Sequence, residues 1–196
     1  MFHDIPDRVF SRMRFLEAMD GRQRIDGTDH LERLRQVPPV TGRFLAVLAA
    51  SAPPGAWIEV GTSGGYSALW LSLACRAVGT TLTTFEVLEP KAALARETFE
   101  KAGVEELVDL VVGDARDHLP HYEGVSFCFL DPEKEYYEAC YDAVVPRIVE
   151  GGILAADNVI SHEEILQPVV DKVLRDARVD AVVVPIGSGV LVARKV

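Results

Sequence analysis

The chain has 196 residues, 48% of them hydrophobic, and a formal net charge of −10. This size and hydrophobic content predict one domain, residues 1–196, with a sizeable core, and exclude a largely disordered chain. The negative charge argues against nucleic acids and membrane surfaces as general partners, because both are anionic. No run approaches the ~18 apolar residues of a membrane span, and no signal-like segment begins the chain, so a cytoplasmic protein is expected. The three cysteines lack metal-ligand spacing, which is typical of buried thiols in a reducing compartment.

The first 55 residues predict helices that precede a sheet. Apolar residues at helical spacing favour one helix over residues 6–20 and another around residues 44–48, which the Pro-Pro-Gly run at 53–55 ends. Asp29 is a candidate cap for a short helix over Leu31 and Leu34. Residues 1–45 hold eight arginines against seven acidic residues, and we interpret these arginines as mainly a solvated helical face.

Strands and helices alternate from residue 56 onwards. Strands are predicted at 56–60, 81–86, 107–112, 125–130, 153–156, 181–184 and 190–194, and helices at 64–78, 90–102, 133–149 and 162–177. The continuous apolar run at 125–130 is typical of a parallel strand covered on both faces. The pattern predicts an α/β fold, namely a Rossmann-like, doubly wound, mostly parallel seven-stranded sheet with a C-terminal antiparallel strand and N-terminal helical decoration. Such sheets bind ligands at the carboxyl ends of their strands.

A glycine-rich turn follows the first predicted strand. It runs from Gly61 to Gly65, where the backbone can approach a ligand closely and the next helix offers free N–H groups. Glu59 lies inside the strand, an unusual place for a carboxylate unless a cationic or hydroxyl-rich ligand is near. The spacing is not G-x-G-x-x-G, which disfavours a nicotinamide oxidoreductase. The alternative is a tight strand-to-helix turn without a ligand.

Acidic residues end the second and third predicted strands. Glu86 could accept hydrogen bonds from ribose hydroxyls, the alternative being a solvated loop carboxylate. Asp114 could cap the next turn or accept a hydrogen bond from an adenine amino group. Together these positions favour a ligand that contains a nucleoside.

Three side chains with oxygen ligands follow the fourth and fifth predicted strands. Asp131, Asp157 and Asn158 suit a hard divalent cation such as Mg²⁺, the alternative being an Asp-Pro turn and a helix cap. Lys134 is expected in the first turn of a helix, where the helix dipole disfavours a cation. A nearby Mg²⁺ would favour its neutral amine, so Lys134 is a candidate general base, with a surface lysine as the alternative.

Seven segments in this order resemble the cation-dependent, class I S-adenosylmethionine O-methyltransferases of the catechol and caffeoyl-coenzyme A type. They are VPPVTGRFL at 37–45, IEVGTSGGYS at 58–67, FE at 85–86, GDA at 113–115, DPEKEYY at 131–137, DNV at 157–159 and PIGSG at 185–189. Each segment is weakly specific by itself, and it is their order that carries the resemblance.

The resemblance implies a set of site residues. It implies S-adenosylmethionine as methyl donor and S-adenosylhomocysteine as product, with Glu59 bracing the glycine loop rather than contacting the donor. The implied cofactor-binding residues are Val37, Glu59, Gly61, Thr62, Ser63, Gly65, Tyr66, Ser67, Glu86, Val87, Gly113, Asp114, Ala115 and Asp131. It also implies Mg²⁺, or another divalent cation such as Mn²⁺ or Ca²⁺, on Asp131, Asp157 and Asn158. Lys134 would take the hydroxyl proton.

The function expected from this resemblance is Mg²⁺-dependent methylation of a small-molecule hydroxyl, on a catechol-like compound or a vicinal diol, by a homodimer. One alternative is a tRNA O-methyltransferase acting on a modified uridine, which the arginine-rich N-terminus favours and the net charge disfavours. Another is a non-catalytic nucleotide-binding regulatory protein, which would not need the metal residues or Lys134. His162, close to these residues, is either a substrate contact or a surface residue.

Overall fold

A seven-stranded sheet forms the centre of the computed structural model, which describes residues 2–196. Its strands lie in the order β3-β2-β1-β4-β5-β7-β6. Their bounds are β1 Ala56–Val60, β2 Leu82–Glu86, β3 Val108–Val112, β4 Val125–Leu130, β5 Ile148–Ala156, β6 Val179–Val184 and β7 Val190–Lys195. The first five strands are parallel, while β7 is antiparallel to both β5 and β6. The predicted fold class, including the antiparallel C-terminal strand, is confirmed.

Helices cover both faces of the sheet and enclose two apolar cores. The helices are α1 Asp7–Gln23, α2 Pro39–Ala50, α3 Tyr66–Val78, α4 Glu89–Ala102, α5 Ala115–His118, α6 Tyr137–Val144 and α7 Glu163–Arg175. Alternate strand residues point to opposite faces, so Trp57 and Phe127 enter the core beneath α1–α4, and Ile58 and Cys128 enter the core beneath α5–α7. Within residues 2–196, no helix combines the length and apolarity needed to cross a membrane.

Two predicted helices differ from those observed. The helix predicted at 133–149 is a short 3₁₀ turn, then α6, then a second 3₁₀ turn, and β5 already begins at Ile148. Pro146 lacks the N–H that a continuing helix needs, and Ile148 instead pairs with Val125 of β4. The short helix predicted over Leu31 and Leu34 is also wrong. The Asp29 carboxylate accepts from the Leu31 N–H at 3.0 Å, a local turn that competes with helix formation.

Two arginines join α1 to α4. Arg8 donates to the backbone carbonyls of Glu100 and Lys101 at 2.9 and 3.0 Å, at the end of α4 where a cation is favoured. Arg12 is buried and its Nε donates to Thr98 Oγ1 at 3.1 Å. The interpretation of the N-terminal arginines as a solvated face is therefore wrong for Arg12, while Arg8 stays exposed.

Candidate active site

The register of the sheet brings the predicted site residues to one edge. Leu130 of β4 pairs with both Val60 of β1 and Ala156 of β5, so the chain leaves the three strands at the same level. The residues that follow these three are Asp131, Gly61 and Asp157. A cavity of about 650 Å³ opens at this edge. Apart from Glu59 and Gly65, every predicted site residue lines it, so the predicted donor and metal residues border a single space.

Two glycines allow the loop after β1 to pack closely. Gly61 has φ +101°, and a Cβ atom there would lie 2.4 Å from the carbonyl oxygen of Asp131. Gly65 has φ +88°, and a Cβ atom there would lie 2.8 Å from Phe99 Cε1. Both positions therefore require glycine, Gly61 to bring the loop against the end of β4 and Gly65 to begin α3.

Backbone N–H groups orient the Glu86 carboxylate at the end of β2. Its Oε2 accepts from the Ser63 N–H at 2.7 Å, and its Oε1 accepts from the Leu88 N–H at 2.9 Å. The side chain is buried and lines the cavity. Each carboxylate oxygen retains a lone pair, so Glu86 can still accept hydrogen bonds from a ligand.

Glu59 reaches the glycine loop through two threonines. It is fully buried, and its Oε2 accepts from Thr84 Oγ1 at 2.6 Å, which in turn lies 2.6 Å from Thr62 Oγ1 in the loop. Its Oε1 has no hydrogen-bond partner among residues 2–196. Burial, opposed by hydrogen bonds to hydroxyl groups, raises the pKa of the Glu59 carboxyl to about 7.

Glu59→Gln is expected to change how stability depends on pH. Because the pKa of Glu59 rises from 4.5 to about 7 on folding, the folded state holds this proton after the unfolded state has lost it. Wild-type stability therefore falls, relative to the variant, as pH rises from 4.5 to about 7, by roughly 3 kcal/mol over that window. Urea unfolding of both proteins at pH 4.5, 5.5, 7 and 8 measures this difference. Parallel stability curves would contradict the assignment of a protonated Glu59.

Asp157 and Asp131 place two carboxylates beside an amide. Asp157 is 2% exposed, and its buried Oδ1 has no hydrogen-bond partner in the part of the chain that the structure describes. Asn158 Nδ2 donates to Asp131 Oδ1 at 2.6 Å. Burial raises the pKa of both carboxyls, the charge of Asp131 raises that of Asp157 further, and Lys134 opposes the rise at Asp131. A cation would offset this concentration of negative charge, and the unpartnered oxygen fits a divalent ion.

The candidate set of metal ligands requires the side-chain amide of Asn158. Within residues 2–196, no three His, Cys, Asp or Glu side chains form a group that could hold a metal ion. A third protein ligand beside Asp131 and Asp157 would therefore have to come from Asn158. Oxygen-only ligation of this kind suits Mg²⁺, Mn²⁺ or Ca²⁺ and argues against zinc, which prefers nitrogen and sulfur ligands.

Lys134 lies next to the carboxylates, in a 3₁₀ turn and not in the first turn of α6 as expected. Its Nζ is 3.5 Å from Asp131 Oδ1, 3.3 Å from the Pro132 carbonyl oxygen and 3.4 Å from Tyr137 Oη. Tyr137 also lies 3.3 Å from Asp131 Oδ1 and donates to the Asp157 carbonyl oxygen at 3.1 Å. Tyr137 was not among the predicted site residues, and its only signal was its place in the DPEKEYY segment.

An N-terminal segment, residues 30–37, contributes all of its residues except Glu32 to the cavity lining. Ser63 Oγ donates to the Leu34 carbonyl oxygen at 2.8 Å, and the Arg35 guanidinium pairs with the Glu133 carboxylate. In residues 2–196 the non-glycine residues with positive φ are Arg35, Ser63 and Asn158, and all three line the cavity. Each such conformation costs about 1 kcal/mol or more, and strain gathered at one cavity is typical of a functional site.

Asp114 and His162 also line the cavity. Asp114 caps α5 by accepting from the Arg116 N–H at 2.9 Å, so the capping interpretation is confirmed, while its contact with adenine stays a prediction. His162 directly precedes α7 and is exposed, yet it lines the cavity, with Nδ1 2.9 Å from Ser161 Oγ. Burial and then the positive charge of Lys134 lower the pKa of His162, which favours its neutral form.

A family model described as O-methyltransferase matches residues 22–196. The chain belongs to the O-methyltransferase family. The resemblance inferred from its seven segments is thereby confirmed.

Members of this family are similar to the chain over different lengths. A catechol O-methyltransferase of Mycobacterium tuberculosis (strain ATCC 25618 / H37Rv) is 35% identical over 127 residues, covering 64% of this chain and 57% of that protein. A caffeoyl-CoA O-methyltransferase of Stellaria longipes is 26% identical over 204 residues, covering 86% of this chain and 84% of that protein. The chain thus spans less than two thirds of the first relative and most of the second. The crystal structure of the SAH-bound Podospora anserina methyltransferase PaMTH1 has the same fold, with a TM-score of 0.81, 23% identity, and coverage of 98% of this chain and 89% of that one.

Proposed function

We propose that this protein is an S-adenosylmethionine-dependent O-methyltransferase that requires Mg²⁺ or another divalent cation. The proposed acceptor is a hydroxyl of a small catechol-like molecule or vicinal diol. Family membership supports methyl transfer, and the names of the curated relatives support this acceptor class. The observation that carries the proposal is the buried, unpartnered Asp157 Oδ1, in one cavity with Lys134 and the glycine loop.

The donor would lie along the ends of β1, β2 and β3. The loop from Gly61 to Ser67 would hold its methionine part, and the fixed Glu86 carboxylate would accept hydrogen bonds from its ribose hydroxyls. Its adenine would lie near Val87, Asp114 and Ala115, which line the same cavity. In this arrangement the sulfonium methyl would face the ends of β4 and β5.

Asp131, Asp157 and Asn158 would hold the divalent cation. The chemistry it would supply is Lewis-acid stabilisation of the negative charge that develops on an acceptor hydroxyl. Hydrogen bonds within the protein position these residues. Asn158 Nδ2 donates to Asp131 Oδ1, and Tyr137 Oη donates to the Asp157 carbonyl oxygen.

Lys134 would take the proton of the acceptor hydroxyl on its Nζ atom. The oxygen lone pair then attacks the methyl carbon in line, the carbon–sulfur bond breaks, and its electron pair stays on sulfur as the neutral thioether S-adenosylhomocysteine. Asp131, 3.5 Å from Nζ, stabilises the resulting ammonium. Holding the two reactants close together and aligned would supply much of the acceleration.

Methylation of a tRNA uridine is disfavoured as the second candidate. The net charge of −10 opposes phosphate binding, and Arg8 and Arg12 are engaged with α4. Salt-dependent binding of tRNA would support this second candidate function. The expected homodimer and cytoplasmic location stay predictions.

Titration with S-adenosylmethionine, followed by turnover on a catechol panel, tests the proposal. Binding is expected in the micromolar range, and methylated product is expected only when a divalent cation is present. Turnover that persists unchanged in EDTA would contradict the metal requirement. If neither S-adenosylmethionine nor S-adenosylhomocysteine binds, the proposed function is wrong.

A further inference from the structure

Lys91 is a largely buried lysine in the first turn of α4. Its side chain lies in the wall of the cavity and is 7% exposed, and among residues 2–196 it has no hydrogen-bond or ion-pair partner. Other cations lining the same cavity are partnered. Each of Arg24, Arg35, Arg116 and Lys134 contacts a carboxylate.

Three features make a positive charge at this position unfavourable in the protein alone. Burial lowers the pKa of the Lys91 ammonium, and the positive charge of Arg35 lowers it further. Lys91 also lies in the first turn of α4, which begins at Glu89, where the helix dipole disfavours a cation. A charged side chain that lowers the stability of the folded protein and forms no hydrogen bond within it suggests a role in binding a ligand.

Glu86 lies five residues before Lys91 and lines the same cavity. β2 ends at Glu86, and the turn through Leu88 leads directly into α4, so both side chains reach the cavity from adjacent elements. The negative charge of Glu86 favours the ammonium form of Lys91, but the two do not form an ion pair. A carboxylate that accepts and an ammonium that donates thus border the same cavity without forming an ion pair with each other. Hydroxyl groups, which both donate and accept, suit a space of this kind.

We propose that Lys91 and Glu86 together form a diol-binding subsite for the ribose of the methyl donor. The 2′- and 3′-hydroxyls donate to the Glu86 carboxylate and accept from the Lys91 ammonium. The inference rests on the proposed function, since it requires a nucleoside donor. The ligand then supplies the partner that Lys91 lacks, and hydrogen bonds to a charged group are among the stronger ones.

This role predicts an effect on binding and not on the chemical step. The ribose is the same in donor, transition state and product, so Lys91 contributes equally to all three. Lys91→Met is therefore expected to raise the KM for S-adenosylmethionine about tenfold, with kcat nearly unchanged. Methionine keeps the length and packing of the lysine stem and removes only the charge. Lys101→Met is the matched control, because Lys101 lies on the same helix and is 61% exposed.

The test compares two ligands and the ligand-free protein. In calorimetry, Lys91→Met is expected to lower the affinity for S-adenosylhomocysteine about tenfold. The affinity for the 2′,3′-dideoxy analogue of this ligand is expected to stay unchanged. Without ligand, the variant is expected to melt about 2–4 °C higher than wild type, because an unpartnered buried charge is gone. The control variant should match wild type in both affinities.

Several results would overturn the inference. Equal loss of affinity for both ligands would assign Lys91 to another part of the donor, and a lower melting temperature would assign it to packing. Undiminished binding of S-adenosylhomocysteine would remove Lys91 from the site while leaving the proposed function intact. Failure of the wild-type protein to bind this ligand at all would overturn the proposed function and, with it, the subsite.

Discussion

Lys134→Ala is expected to lower turnover by about 10²- to 10⁴-fold, the usual contribution of a positioned general base. Its Nζ is 3.5 Å from Asp131 Oδ1, at the end of the cavity where the acceptor hydroxyl would lie. The affinity for S-adenosylhomocysteine should stay within a few-fold of wild type, since the proposed donor contacts lie on the loop after β1 and on Glu86. Single-turnover methylation and calorimetry on the same preparation measure the two effects separately.

A control lysine makes the Lys134 result specific. Lys172→Ala removes an exposed lysine that pairs with Glu138 and Asp142 on the outer helices, and it should keep wild-type turnover. Near-normal turnover in Lys134→Ala would remove this residue from the base role.

Asp157→Asn is expected to abolish the response of activity to divalent cations and to lower the rate at least about 100-fold. Substitution of groups around metal ligands already costs 10- to 100-fold, and a direct ligand should cost no less. The variant removes the charge and keeps the size of a side chain that is 2% exposed, so the backbone bonds of residue 157 to Leu130 and Tyr137 should persist. Initial rates across a series of Mg²⁺ concentrations measure the response.

Thermal unfolding gives a second measure that does not depend on turnover. A cation that binds only the folded protein raises the melting temperature with its concentration, so wild type should be stabilised by Mg²⁺ and Asp157→Asn should not. Without metal, the variant should be at least as stable as wild type, because the charge of Asp131 no longer opposes a second buried carboxylate. Glu135→Gln, at an exposed position on the same cavity wall, should retain the wild-type response. An unchanged metal requirement in Asp157→Asn would contradict the proposed ligand set.

The strands, their approximate bounds and most of the site residues could be predicted because their signals are local. The apolar run at 125–130 marks a strand covered on both faces, and polar residues directly after such strands must lie at the ligand-binding edge. Asp131, Asp157 and Asn158 were identified in this way. The end of the helix predicted at 133–149 could not be located from the sequence. Whether Ile148 continues a helix or starts β5 depends on its pairing with Val125 across the sheet.

By itself, the sequence determined the fold class, the family and the polar residues that end each parallel strand, since apolar periodicity and short motifs encode these directly. Only the tertiary structure decided which other side chains reach the cavity. Arg35 pairs with Glu133 across 98 residues of sequence, and Glu59 reaches the glycine loop through Thr84 on a neighbouring strand. In the sequence Lys91 is an ordinary lysine in the first turn of a helix. Its burial and lack of a partner arise from the packing of α4 beside Glu86 and Arg35, which no local pattern records.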